Sequence, residues 1–207
     1  ELDAIGGEYN AFTGKEYTGY FAKAHKRHLP LLLDIISDIY MNALLQEEEI
    51  ERERLVILEE MNMYQETPVR YVDDLIEELM YGDQPQGWKI IGERSTVGAI
   101  NRAKLKKYFH SRYRASETAV VIAGNFDEKM ITLEVPRYFA SLVPSSAEGK
   151  GNVQEKQAKP AVLVYAKDTD QSHLILTFRA YHASHKHLPI LHVLNILLGG
   201  NMSSRLF

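Results

Sequence analysis

The chain has 207 residues, 45% of them apolar and 25% charged, with 24 Lys and Arg against 28 Asp and Glu. This is an ordinary globular composition with room for one domain or one and a half, and a net charge of −4 argues against nucleic acid, which needs a dense basic face. With no cysteine, disulfides, thiol nucleophiles and Cys-ligated zinc are excluded, so any metal must be held by His and carboxylates; no apolar run reaches the ~18 residues of a membrane span.

Glu1-Leu2-Asp3-Ala4 has no basic n-region of a signal peptide and no initiator Met. It reads as the end of a helix that Gly6-Gly7 stops, and Asn201 to Phe207 reads as a segment just beginning. Both ends predict a piece of a longer polypeptide. From Glu8 to Lys23, aromatic and β-branched residues alternate with polar ones around Gly14-Lys15, which predicts a β-hairpin. His28 to Leu45 predicts a helix, with Pro30 near its start.

Glu47 to Tyr64 has no Gly or Pro and predicts a second helix, its first turn acidic. At ~100° per residue, Ile50, Ile57, Met61 and Tyr64 form one stripe. Glu53 and Glu60 fall on that stripe, two turns apart. A carboxylate on an apolar face is costly unless a cation or donor meets it. The residues alone leave two readings open: each acid is paired structurally, or the two belong to a site.

Thr67-Pro68 breaks that helix, and Val69 to Tyr81 predicts another, ended by Gly82-Asp83. Asn101 to Phe109 and Lys129 to Ser141 read as helices, the latter despite Pro136, and Thr118 to Gly124 as a buried strand. The stretch from Pro144 to Pro160 is rich in Ser, Gly, Lys, Glu and Gln and reads as a linker. Beyond it, Ala161 to Lys167 and His173 to Ala180 read as strands and Leu188 to Leu198 as a helix stopped by Gly199-Gly200. The expected organisation is a first unit at 1–143, a linker at 144–160 and the opening of a second, homologous unit at 161–207. Hairpin, helices, strand and helix in that order argue α+β rather than a doubly wound sheet.

Several stretches, in order, resemble the insulinase and mitochondrial-processing-peptidase family of zinc peptidases, the inverzincins. They are Gly6-Gly7-Glu8-Tyr9-Asn10-Ala11-Phe12-Thr13, Glu51-Arg52-Glu53-Arg54 with Val56, Ile57 and Glu60, Tyr81-Gly82-Asp83-Gln84-Pro85 with Gly87, Val121 to Asp127, and Leu197 to Phe207. The resemblance covers almost the whole chain. It implies a mixed, largely antiparallel sheet with helices packed on one face. It also implies a zinc-dependent endopeptidase acting on peptides or unfolded segments. The family's His-x-x-Glu-His signature, with two zinc-binding histidines and the glutamate that activates water, does not occur in these residues; in the family it lies upstream of the Gly-Gly segment. By resemblance Glu60 is the third zinc ligand and Glu53 orients a ligand histidine. Asn10, Ala11 and Phe12 are the candidate peptide-binding strand, to which extended substrate adds as a further strand.

The expected partners are therefore a peptide or unfolded polypeptide, the missing N-terminal segment, and a second half or homologous subunit. Neither nucleic acid nor a membrane span is expected. The absence of Cys fits a reducing cytoplasm of bacterial type. A catalytically inactive homologue serving as a structural or peptide-binding subunit is the alternative. His25 and His28, and the group His182, His185 and His187, read as solvated loop histidines, and Lys104, Lys106 and Lys107 as a solvated helix face. Gly199-Gly200 reads as a helix stop, with no nucleotide-binding pattern around it.

Overall fold

The computed structural model describes residues 1–146 and 149–207; positions 147 and 148 of the expected linker lie outside the described residues. Two units are distinguished, Glu1–His173 and Leu174–Phe207. In the first, β1 (Glu8–Thr13) and β2 (Thr18–Lys23) pair antiparallel, from Glu8 opposite Lys23 to Thr13 opposite Thr18. This is the hairpin the alternation predicts. The turn closes with the Gly14 N–H donating to Tyr17 O at 2.8 Å.

Alternation across the sheet gives the hairpin two unlike faces. Tyr20 packs edge-on against Tyr40 of α1 (Leu29–Met41), with ring centroids 6.1 Å apart. Asn10, Phe12, Gly19 and Phe21 share the other, open face. There the Phe12 ring lies on Gly19: a Cβ at position 19 would stand 2.2 Å from its Cζ, so any other residue there would have to displace the ring. Helix α1 thus packs on one face of a small antiparallel sheet, and the α+β class holds.

Four aromatic rings tie α1 to later elements. Tyr40 contacts Tyr113 at 4.8 Å and Phe139 at 6.4 Å, and Tyr113 stacks on Phe109 at 4.5 Å. The hydroxyls of Tyr20 and Tyr113 are 2.9 Å apart, and those of Tyr40 and Thr118 2.8 Å. Buried aromatic hydroxyls seek such partners.

α2 (Glu47–Glu66) and α3 (Pro68–Tyr81) match the predicted helices closely. Thr67 separates them, and α3 stops at Gly82, whose φ of 63° lies in the left-handed region glycine tolerates. α4 (Arg94–Gly98) follows, with a capping box between Glu93 and Thr96. α5 (Arg102–Arg112) starts at Asn101, whose side chain accepts from the Lys104 N–H at 2.9 Å. α6 (Glu128–Tyr138) is capped by Asp127 and accommodates Pro136. The hairpin turn is fixed to α3 by Lys15, which pairs with Glu77 at 2.7 Å and donates to Trp88 O.

Residues 118–124, 161–167 and 173–180, predicted as strands, are not strands; among the described residues β1 and β2 make up the sheet. A strand exists only through its ladder, and these three segments have none. Their apolar side chains are correspondingly open: Val121 is 84% exposed, Val164 85% and Leu174 92%.

The segment read as a linker at 144–160 makes side-chain contacts with earlier elements. Lys150 pairs with Glu16 at 2.9 Å. The Gln84 side chain grips the backbone of Gln154 twice: Nε2 donates to the carbonyl at 3.0 Å and Oε1 accepts from the N–H at 2.9 Å. Beyond the linker, Tyr165 meets Tyr71 edge-on at 5.1 Å, and Lys167 Nζ donates to Gln65 O at 2.8 Å. In the second unit, α7 (Leu188–Gly199) begins with Pro189 in its first turn and ends near Gly200, as predicted.

Candidate active site

The two acids that drew attention in the sequence lie on α2. The buried side of this helix carries Met61, only 4% exposed, with Ile50, Ile57 and Leu58 half-buried. Arg54 joins them, its side chain 14% exposed. On a wheel of ~100° per residue, the centre of that face falls near Arg54 and Met61. Glu53 and Glu60 lie about a quarter-turn to one side, and both are exposed. This corrects the expectation that they are buried on the apolar stripe. The stripe of Ile50, Ile57, Met61 and Tyr64 includes Tyr64, which is itself 39% exposed, so the true face is rotated away from the acids.

Three other acids of α2 have partners. Glu49 takes Arg52 at 2.8 Å, Glu51 takes Arg54 at 2.8 Å, and Glu59 accepts from Asn62 at 3.2 Å. Among the described residues Glu53 and Glu60 have neither a hydrogen bond nor an ion pair. Beside them stand Val56, 47% exposed, and Met63, 65% exposed.

On β1, Asn10, Ala11 and Phe12 are all exposed. The Ala11 N–H donates to Asn10 Oδ1 at 2.8 Å, so the side chain of Asn10 occupies a backbone donor of the strand. No hydrogen bond, ion pair or ring contact joins these three residues to Glu53 or Glu60 among the described residues.

Sequence reasoning overlooked a cleft of about 320 Å³ beyond Glu60, lined by Met61, Tyr64, Tyr71, Asp74, Lys89 and Glu93 among others. Lys89 pairs with Glu93 at 2.9 Å and stands 5.9 Å from the Tyr71 ring centre. Burial pushes the Asp74 carboxyl above its ordinary range, with the Lys89 charge opposing. The spacing of Arg54, four residues from both Ile50 and Leu58, was the signal that a charged group sat mid-face.

Among the described residues no group of three or more His, Asp or Glu is placed to hold a metal. Tyr181 stacks on His185 at 4.1 Å and meets His187 edge-on, and His182 meets His185 edge-on. Glu60 suits one zinc ligand, being an anionic oxygen donor without a competing cation, but the described residues do not complete a site.

Comparison with known proteins agrees with this partial picture. Residues 1–94 match the family described as insulinase (peptidase family M16), and residues 99–207 match the peptidase M16 inactive domain. The uncharacterized zinc protease YmxG of Bacillus subtilis is 37% identical over the whole chain, which covers 50% of that protein; an uncharacterized zinc protease of Rickettsia bellii is likewise 37% identical, at 50% of its length. The chain thus spans about half the length of the curated relatives it matches. Among solved structures, a protease from Helicobacter pylori superposes with a TM-score of 0.67 at 22% identity, over 75% of this chain and 38% of that one. A putative M16-like peptidase from Alicyclobacillus acidocaldarius gives 0.58 at 26% identity, over 71% and 34%. With both family models matched in order along its length, the chain belongs to the insulinase, or M16, family of peptidases.

Proposed function

We propose that this chain forms part of the active site of a zinc-dependent endopeptidase acting on peptides or unfolded polypeptide segments. The observation that carries this reading is the pair Glu53 and Glu60, two acids on one edge of α2, exposed and without partners. Seven residues of helix separate their Cα atoms by ~10 Å along the axis, whereas two oxygens on one zinc lie within ~4 Å. The pair therefore divides its labour: Glu60 ligates the ion and Glu53 orients a histidine ligand from behind. A bound zinc supplies Lewis-acid polarisation of the scissile carbonyl.

The remaining ligands and the general base come, on this reading, from a His-x-x-Glu-His helix elsewhere in the whole protein. Such a helix would cover Val56 and Met63, whose exposure beside the two acids marks a surface to be buried. Extended substrate adds to the strand of Asn10, Ala11 and Phe12; Asn10 Oδ1 releases the Ala11 N–H to it. Residues 1–143 would belong to one peptidase-type unit, 144–160 to a linker and 161–207 to a second homologous unit, with a second half or homologous subunit as partner. We place the protein in a bacterial cytoplasm. No described helix is long and apolar enough to cross a membrane.

A second reading, a catalytically inactive homologue with a structural or peptide-binding role, draws on the match of residues 99–207 to the inactive domain. Glu60→Gln in a protein of the relatives' full length separates the two. Zinc content by atomic absorption and cleavage of a fluorogenic peptide should both fall strongly, and Glu53→Gln should cost about 10–100-fold in affinity. Unchanged zinc in Glu60→Gln removes the ligand assignment, and a parent without zinc or cleavage establishes the inactive homologue.

A further inference from the structure

The run Glu51-Arg52-Glu53-Arg54 separates into an anchor and a working face. Arg54 is the anchor. Its Nη1 donates to Val97 O at 2.6 Å and Gly98 O at 2.9 Å, and its Nη2 to Ile100 O at 2.6 Å. Nε and Nη2 also hold the Glu51 carboxylate at 3.1 and 2.8 Å. The three carbonyls lie at and just past the C-terminal end of α4, where partial negative charge collects; Val97 O also accepts from the Ile100 N–H at 3.2 Å. A guanidinium meets such a set because its five N–H groups point outward in one plane; an ammonium offers three donors from a single point. The Arg54 hydrogen bond holds the Glu51 carboxyl below its ordinary range, so the brace stays charged on both sides.

We propose that Arg54 is a positioning residue that fixes the rotation of α2 about its own axis, and with it the directions of Glu53 and Glu60. Both acids lie about a third of a turn from Arg54 on the helix wheel. Neither has a hydrogen bond of its own to aim it. The apolar contacts of Met61 and Ile57 are non-directional and resist small rotations weakly. At a radius of ~5–6 Å, a 20° roll of the helix carries a side chain about 2 Å sideways, as far as a whole zinc–oxygen bond. The five directional bonds of Arg54 oppose that roll.

This inference rests on the reading of Glu60 as a zinc ligand, and the experiment distinguishes the failure of one from the other. In a protein of the relatives' full length, Arg54→Lys, Glu51→Gln and Glu60→Gln are compared with the parent by competition with a chromogenic zinc chelator. Hydrogen exchange of α2 and of residues 97–101 is followed in the zinc-free forms. Arg54→Lys should lower zinc affinity about 10–100-fold, the usual range for groups acting through a ligand, and should speed exchange along α2. Glu51→Gln should do the same to a smaller degree, because the carbonyl bonds remain. A purely structural Arg54 would lower the melting temperature and leave the zinc affinity of the folded protein alone. Parental zinc affinity in Arg54→Lys, alongside its loss in Glu60→Gln, overturns the positioning role only; parental affinity in Glu60→Gln overturns the ligand reading and the inference with it.

Discussion

Tyr113→Phe should change the pH dependence of stability as well as its level. The substitution keeps the ring and its stacking on Phe109 and Tyr40 and removes one hydroxyl, 2.9 Å from that of Tyr20. At neutral pH the loss is one neutral hydrogen bond, about 1 kcal/mol. Burial, then the bond to Tyr20, holds the Tyr113 hydroxyl pKa well above that of an ordinary phenol. An unfolded tyrosine titrates near ~10. Below that pH both states keep the proton and the stabilisation is complete. Above it the unfolded chain ionises first, so stability is lost as pH rises toward the folded pKa. The loss is at most ~1.4 kcal/mol per pH unit, reduced by partial exposure of the site. Phenylalanine has no proton to lose. The variant should therefore be less stable than the parent at pH 8 and equal to it about one unit above ~10. Urea titrations from neutral to alkaline pH, read by circular dichroism, measure both; the difference between them cancels the other tyrosines. A constant offset across the whole range would refute the argument.

Met61→Ala, at a position 4% exposed, should cost about 2–4 kcal/mol of stability, while Glu60→Ala next to it should stay within ~0.5 kcal/mol in the absence of zinc; equal costs in urea melts would contradict the orientation of α2. Gly19→Ala should destabilise the hairpin because its Cβ would meet the Phe12 ring, and Phe12→Ala should relieve it, giving a coupling of about 0.5–3 kcal/mol in a double-mutant cycle. The 207-residue chain alone should bind no stoichiometric zinc in equilibrium dialysis and cleave no peptide. Chelator-sensitive cleavage by it would point to His182, His185 and His187 instead.

Local pattern was legible where an element needs only its own residues. The hairpin, α2, α3 and α7 follow from alternation, helical period and Gly or Pro punctuation, with ends within a few residues. The strands expected at 118–124, 161–167 and 173–180 were illegible for the opposite reason, because pairing is a property of two segments. The wheel of α2 placed Glu53 and Glu60 together but put them on the apolar stripe, because it misjudged the centre of the buried face. Treating Arg54 as polar hid the fact that a guanidinium with five bonds occupies the interior side. Hydrophobicity ranks residues by type and cannot see carbonyls forty residues away in sequence that make a charged one at home. The interaction of Asn10 with the Ala11 N–H was equally invisible, since it depends on a rotamer.

The grip of Gln84 on the backbone of Gln154 bears on how this protein tolerates changes of length. The clamp holds only the main-chain N–H and C=O of position 154, so substitution there should be nearly free except by proline, which has no N–H to give. Chain length is another matter. Between Gln154 and Tyr165, which meets Tyr71, extra residues enlarge a loop, and each doubling of such a loop costs about 0.6 kcal/mol. Removing residues shortens the span between two fixed points until one of them lets go. Homologous sequences should therefore show insertions in this interval far more often than deletions, with a glutamine or asparagine kept at the position of Gln84 and any residue but proline at that of Gln154.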